Sequence, residues 1–204
     1  HKVLNARRLR TLSELAAKAL VERSVEAACA SAITTLAKNP DDVPFALLYW
    51  VDPAQRRVIF NRSVGIAADA VPSLAPTTVD LSSTNEAWPL REVVETTLPR
   101  VIAIKPNAAL PLGPAGRPIA EAVLVPIMSG GQEQPTAILV SGVNPTRRLD
   151  EEYRTFFNLI ASQVATAIQN ARAVEEERDR LRRLAELDHA KTRVFSNVGH
   201  GFPL

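Results

Sequence analysis

Cysteine is nearly absent from this chain. Cys29 stands alone, so no disulfide can form within the chain, and its place in the run Ala27-Ala28-Cys29-Ala30 suits a packed thiol in the reducing cytoplasm. Histidine is almost as scarce: none lies between positions 2 and 188, which excludes a histidine-ligated haem there. His189 and His200 are too far apart to chelate one metal ion, so no metal site is expected. Neither sign of charge dominates, with 24 basic against 22 acidic side chains, and the basic residues that cluster do so beside acidic ones. A nucleic-acid partner is therefore not implied. No apolar run approaches the roughly 20 residues of a spanning helix, and the basic start has no apolar stretch behind it. Neither membrane insertion nor an export signal is expected. A Gly-rich phosphate cradle is also missing, because Gly113-Pro114-Ala115-Gly116 does not read as strand, loop and helix.

What is present is an ordinary globular composition, 46% apolar and 23% charged, in 204 residues: enough for one good core with helical extensions. Leu4, Leu9, Leu12, Leu15, Ala16, Ala19 and Leu20 share helical spacing and predict an amphipathic entry helix. Ser24 is placed to cap a second helix whose stripe is Val25, Ala28, Cys29, Ala32, Ile33 and Leu36. Residues 45–51 and 58–64 then read as a β-hairpin. Residues 65–86 show no period and are expected to be a long surface loop. A short helix over 88–97, a strand over 99–104 and a Pro/Gly-rich loop over 106–118 follow. Strands over 122–128 and 136–143 flank a turn at Ser129-Gly130-Gly131-Gln132.

The last element is a long helix. Asp150 is its expected N-cap, and Glu151 and Glu152 suit the positive end of the dipole. Phe156, Phe157, Ile160, Ala161, Val164, Ala167, Ile168, Ala171 and Val174 make one face, so this half should pack on the domain. Beyond it Glu176 with Arg180 and Asp179 with Arg183 are spaced as i,i+4 ion pairs, and the apolar face narrows to Leu181, Leu184, Leu187, Val194 and Val198. Such a helix outruns any small domain, and its thin seam predicts a parallel homodimer. The steps of three between Leu181, Leu184 and Leu187 break the heptad and mark a change of winding.

This order of elements, and the text Val-Ser-Gly-Val-Asn-Pro-Thr-Arg-Arg-Leu-Asp-Glu-Glu-Tyr from Val140, resemble the GAF modules of bacterial sensor histidine kinases. The resemblance implies an α+β fold, an antiparallel five-stranded sheet of order 2-1-5-4-3, and terminal helices at both ends. It divides the chain into a linker helix (1–20), a sensor domain (21–174) and a projecting coiled-coil segment (175–204). The run Phe195-Ser196-Asn197-Val198-Gly199-His200 further resembles the phosphoacceptor box of that family, with His200 on the phosphoacceptor. Gly199 stands in place of the family's serine, Gly201 in place of its acid or base, and the arginine-threonine pair before Pro203 is absent. A ring nitrogen needs a carboxylate to orient it for attack, so this chain is not expected to be an enzyme by itself.

As implied by the resemblance, the chain is a cytoplasmic signal-input module, with a kinase core and a response regulator as partners of the parent system. A small-molecule ligand would lie between the sheet and its loops, and Tyr49, Asn61, Trp88, Arg91 and Ser141 are the residues proposed to line it. No cofactor is identified. A bilin or a redox role is not expected of a lone Cys29 on an apolar helix face, and the Asn-Lys-Phe-Asp-Glu signature of cyclic-nucleotide GAF modules is missing. The competing readings are a ligand-free dimerisation module and a free-standing GAF-fold enzyme such as a methionine sulfoxide reductase.

Overall fold

The computed structural model describes residues 2–83, 87–105 and 107–199. Two helices lead in, α1 (Lys2–Ala19) and α2 (Val25–Ala37). The second starts at the expected cap, where Ser24 Oγ accepts from the Ala27 N–H at 3.1 Å. Its predicted stripe is buried from Ala28 to Leu36; of the described side chains in the stripe expected for the entry helix, Leu15 and Ala19 are fully covered, while Leu9, and Leu20 just past the end of α1, stand in solvent.

The hairpin forms as β1 (Ala46–Asp52) and β2 (Arg57–Val64). Tyr49 pairs with Phe60 and Leu48 with Arg62, which leaves Asn61 as the extra residue of a β-bulge. Gly65 ends β2 at φ +75°, and a Cβ there would lie 2.3 Å from the Pro44 carbonyl oxygen, so only glycine fits.

The segment expected to be structureless carries a one-turn helix, α3 (Val71–Leu74), and a strand, β3 (Thr78–Asp80). After it come α4 (Leu90–Thr96), β4 (Arg100–Ala103), β5 (Glu121–Ile127) and β6 (Ala137–Gly142). All neighbouring strands are antiparallel, in the order β3-β2-β1-β6-β5-β4. The sheet therefore has six strands, not five. The additional one is an edge strand of three residues whose register comes from Arg57–Ile59 rather than from any pattern of its own. The other five keep the expected order.

The sheet is buried on both faces, which is why its central strands read as unbroken apolar runs instead of alternating ones. On one side Ala46, Leu48, Val125 and Leu139 meet α2 and the first half of α5 (Glu151–Gly199). On the other, Leu47, Tyr49, Leu124 and Val140 meet Leu90, Val93 and Val94 of α4 together with Trp88 and Leu110.

Asp150 Oδ1 caps α5, accepting from the Tyr153 N–H at 2.9 Å. At about 1.5 Å per residue its 49 residues span about 70 Å. Ala171 is the last fully buried position, and Glu175, whose carboxylate accepts from the Val25 N–H at 2.9 Å, marks where the helix leaves the domain. The ion pairs on the projecting half differ from those expected. Arg180 bonds Glu177 at 2.8 Å and Arg182 approaches Asp179 at 3.9 Å, both at i,i+3. On a fully exposed helix i,i+3 and i,i+4 partners are nearly equivalent, so sequence spacing does not select between them.

Candidate functional site

The five proposed lining residues sit in different surroundings. Tyr49 lies fully buried in the core facing α4, edge-on to Phe60 at 5.8 Å. Its hydroxyl has no hydrogen-bond partner among the described residues, and burial raises its pKa above the ordinary phenol range. Trp88 shares that core, its ring tilted by 43° against that of Phe45 with centroids 6.1 Å apart, and its Nε1 donates to the Leu74 carbonyl at 2.8 Å. Its ring also walls a cleft of about 240 Å³ bounded by Leu74, Ile102, Ile104, Lys105 and Leu110. Arg91, on α4, donates from Nη2 to the Ser83 carbonyl.

Asn61, the bulge residue of β2, lies past the stretch of that strand paired with β3, at an open edge of the sheet. There it borders a separate groove of about 620 Å³ with Ile33, Thr34, Phe60, Ile66 and Val71. Ser141 belongs to the opposite side. Its neighbours Val140 and Gly142 face α4, so Ser141 faces α2 and α5, and its Oγ donates to the Phe45 carbonyl at 3.2 Å. Tyr49 and Trp88 thus share one core, Asn61 lies at the edge, and Ser141 is separated from them by the sheet. Strict alternation from Val140 would have put Ser141 on that far face.

Cys29 is wholly buried on α2. Desolvation first, then the nearby Glu26 carboxylate, push its thiol up to about 12, so it carries no thiolate at neutral pH. His189 is exposed on the projecting half of α5, and His200 lies outside the described residues. Among the described residues no three His, Cys, Asp or Glu side chains gather where a metal could bind, and no helix is long and apolar enough to cross a membrane.

A feature that the sequence reading passed over lies on the packed half of α5. From Thr155 to Ala171 there is no charged residue, yet Thr155, Asn158, Leu159, Ser162, Thr166 and Gln169 are exposed. A groove of about 420 Å³ runs along one side of this strip, lined by Leu9, Leu12, Phe156 and Leu159. Another of about 480 Å³ runs along the other side, lined by Pro99, Val125, Met128 and Ala165. The exposed side of this half is thus polar without charge, with Leu159 as its one large apolar side chain.

Residues 22–169 match the GAF domain family. No curated protein matches the chain. Among solved structures, the GAF domain of a phosphoenolpyruvate-protein phosphotransferase from Coxiella burnetii is similar at 19% identity and TM-score 0.59, over 82% of this chain and 96% of that one. The free methionine-R-sulfoxide reductase from Neisseria meningitidis, in complex with its substrate, is similar at 14% identity and TM-score 0.58, over 81% and 90%. Residues 122 to 287 of a methyl-accepting chemotaxis protein are similar at 16% identity and TM-score 0.54, over 80% and 99%. At these identities the likeness is one of fold.

Proposed function

Because this chain belongs to the GAF domain family, we propose that it is the signal-input module of a two-component histidine kinase, working as a homodimer joined along α5. The observation that carries this reading is the surface of α5. Its uncharged strip on the domain and its exposed seam beyond it, Leu181, Leu184, Leu187, Val194 and Val198, lie on one continuous rod. Steps of seven from Leu159 reach Thr166, Ala173, Arg180, Leu187 and Val194, the repeat that keeps a seam facing its partner in a left-handed coiled coil. Arg180 is the charged exception, close to the irregular steps at Leu181 to Leu187, where a change of winding can be absorbed.

In this reading a ligand or partner at the α4 face shifts the packing of the paired helices. The kinase core and the response regulator of the parent system read out that shift. The chain itself performs no phosphotransfer, since Gly201 supplies no carboxylate beside His200. A sulfoxide-reductase reading is disfavoured by the burial of Cys29 and its raised pKa.

Light scattering at tens of micromolar tests the proposal, because a coiled coil of this length is expected to be populated there. A dimer is expected, and a monomer would overturn the reading. A second reading, a ligand-free spacer, is favoured by the complete burial of Tyr49 among core side chains. Thermal-shift screening of small polar and aromatic metabolites separates the two, because a ligand at 100 times its Kd adds about 2.7 kcal/mol of stability. Failure of every compound to shift the melting curve favours the spacer.

A further inference from the structure

We infer that α1 is held on the domain by a charged catch at Asp42, and that the same catch holds the root of α5, so that a displacement of α1 reaches α5 without passing through the sheet. The inference deepens the signal-input reading and rests on it for its purpose. Among the described side chains of α1, Leu15 and Ala19 are fully buried apolar residues and Leu12 and Ala16 are partly covered. Beside this packing, α1 makes a dense group of polar contacts at the corner between α2 and β1.

The Asp42 carboxylate is completely buried. Arg7 Nε donates to one of its oxygens at 2.8 Å and Arg8 Nε to the other at 3.2 Å, both from α1. Asn39 Nδ2 donates to Asp42 at 3.1 Å and to Thr11 Oγ1 of α1 at 3.1 Å. If α1 lifts away, Asp42 loses both cations and keeps only Asn39. A carboxylate that stays covered but loses a cation is strongly unfavourable, which opposes a partial loosening of α1 that removes one arginine while Asp42 remains buried.

The corner also grips α5. Tyr153, in the first turn of α5, donates its hydroxyl to the Asp42 main-chain carbonyl and accepts from the Asn144 N–H at 3.1 Å. The Arg8 guanidinium lies 4.1 Å from the centre of the Tyr153 ring and 5.5 Å from that of Phe156. Arg8 therefore touches the Asp42 carboxylate and two side chains of α5 at once. Its position is set jointly by the entry helix and the exit helix.

A coupling of this kind is reciprocal: loosening either helix must loosen the other. Amide hydrogen exchange on the full chain tests this in three segments: α1 over residues 5–19, the root of α5 over 153–160, and β5 with β6 as the reference. In Arg8→Ala, exchange is expected to quicken roughly tenfold or more in both helices while the strands keep their rates. Tyr153→Phe removes only the hydroxyl of α5, yet it is expected to quicken exchange in α1. Arg8→Lys keeps the charge but not the planar stack, and is expected to fall between wild type and Arg8→Ala.

Quickening confined to the mutated helix in both Arg8→Ala and Tyr153→Phe would overturn the coupling. Loss of protection that includes β5 and β6, in the mild Arg8→Lys as well as in Arg8→Ala, would also overturn it, because the cluster would then be part of the core and not a catch. The measurement needs no dimer, so a monomeric chain would defeat the homodimer proposal and leave this one standing.

Discussion

The two halves of α5 share a helix without a break but obey different rules. From Tyr153 to Ala171 the helix is held by its environment: Tyr153, Phe156 and Phe157 form an aromatic cluster, Tyr153 and Phe157 stacking at 5.0 Å, and Ile160, Val164 and Ile168 continue the same buried stripe. From residue 176 onward every described position is exposed, and the helix is charged all round apart from its thin seam. An isolated helix of that length and composition is marginal in water, since most helical stability in proteins comes from a packed amphipathic face. The first half gains its stability within one chain, whereas the second has no such cover, and the proposed pairing with another copy would supply it.

The sharpest way to break this distinction is a pair of truncations of similar chemistry. Phe157→Ala removes a wholly buried ring and is expected to cost about 3–5 kcal/mol, visible as a large fall in the urea midpoint of the domain. Leu184→Ala removes a side chain that is 52% exposed, and is expected to leave that midpoint within about 0.5 kcal/mol while weakening self-association by light scattering. Equal loss of stability in both would mean that the projecting half packs on its own domain.

A smaller effect is expected from cutting the chain after Arg172. This keeps every fully buried residue of α5 and removes the Glu175 carboxylate that bonds the Val25 N–H. Circular dichroism melting is expected to show a folded domain. Light scattering is expected to show weaker dimerisation, with the uncharged strip around Leu159 as the remaining contact. A truncated chain that unfolds would erase the boundary between the halves, and one that dimerises undiminished would place the whole interface on the domain.

Which parts of this were legible in the sequence follows from how local their causes are. Ser24 and Asp150 announced their helices because capping is decided within three residues. The packed face of α5 was equally plain, because its 3.6-residue period runs over five turns. By contrast β3 was hidden: three residues carry no period, and their strand state is imposed by pairing with Arg57–Ile59. The face that Ser141 takes was not legible, because β6 is buried along its whole length and an apolar run on both sides masks the alternation that would orient it. Nothing around Asp41-Asp42 announces a buried carboxylate, since its arginine partners lie 34 and 35 residues away. The i,i+3 pairing on the projecting half was not predictable from sequence, since nothing there distinguishes one exposed partner from the next.

That last near-equivalence sets the smallest expected effect. Arg180 hydrogen-bonds Glu177 and holds its carboxyl below the ordinary value of 4.5, with the Arg180 charge as a second, smaller cause. A depressed folded-state pKa means that the pair favours the helix above 4.5 and that the contribution disappears as pH falls through the folded value. Both groups are fully exposed, so solvent screens the pair and the effect belongs to the projecting half alone. Glu177→Gln is accordingly expected to leave the melting of the domain unchanged at neutral pH. It is also expected to abolish whatever small drop in helicity the wild-type chain shows when the pH is lowered below 4.5 in the absence of added salt. A mutant that shifts the domain's melting would mean that the second half of α5 is thermodynamically joined to the first, and that the contrast between them is one of exposure only.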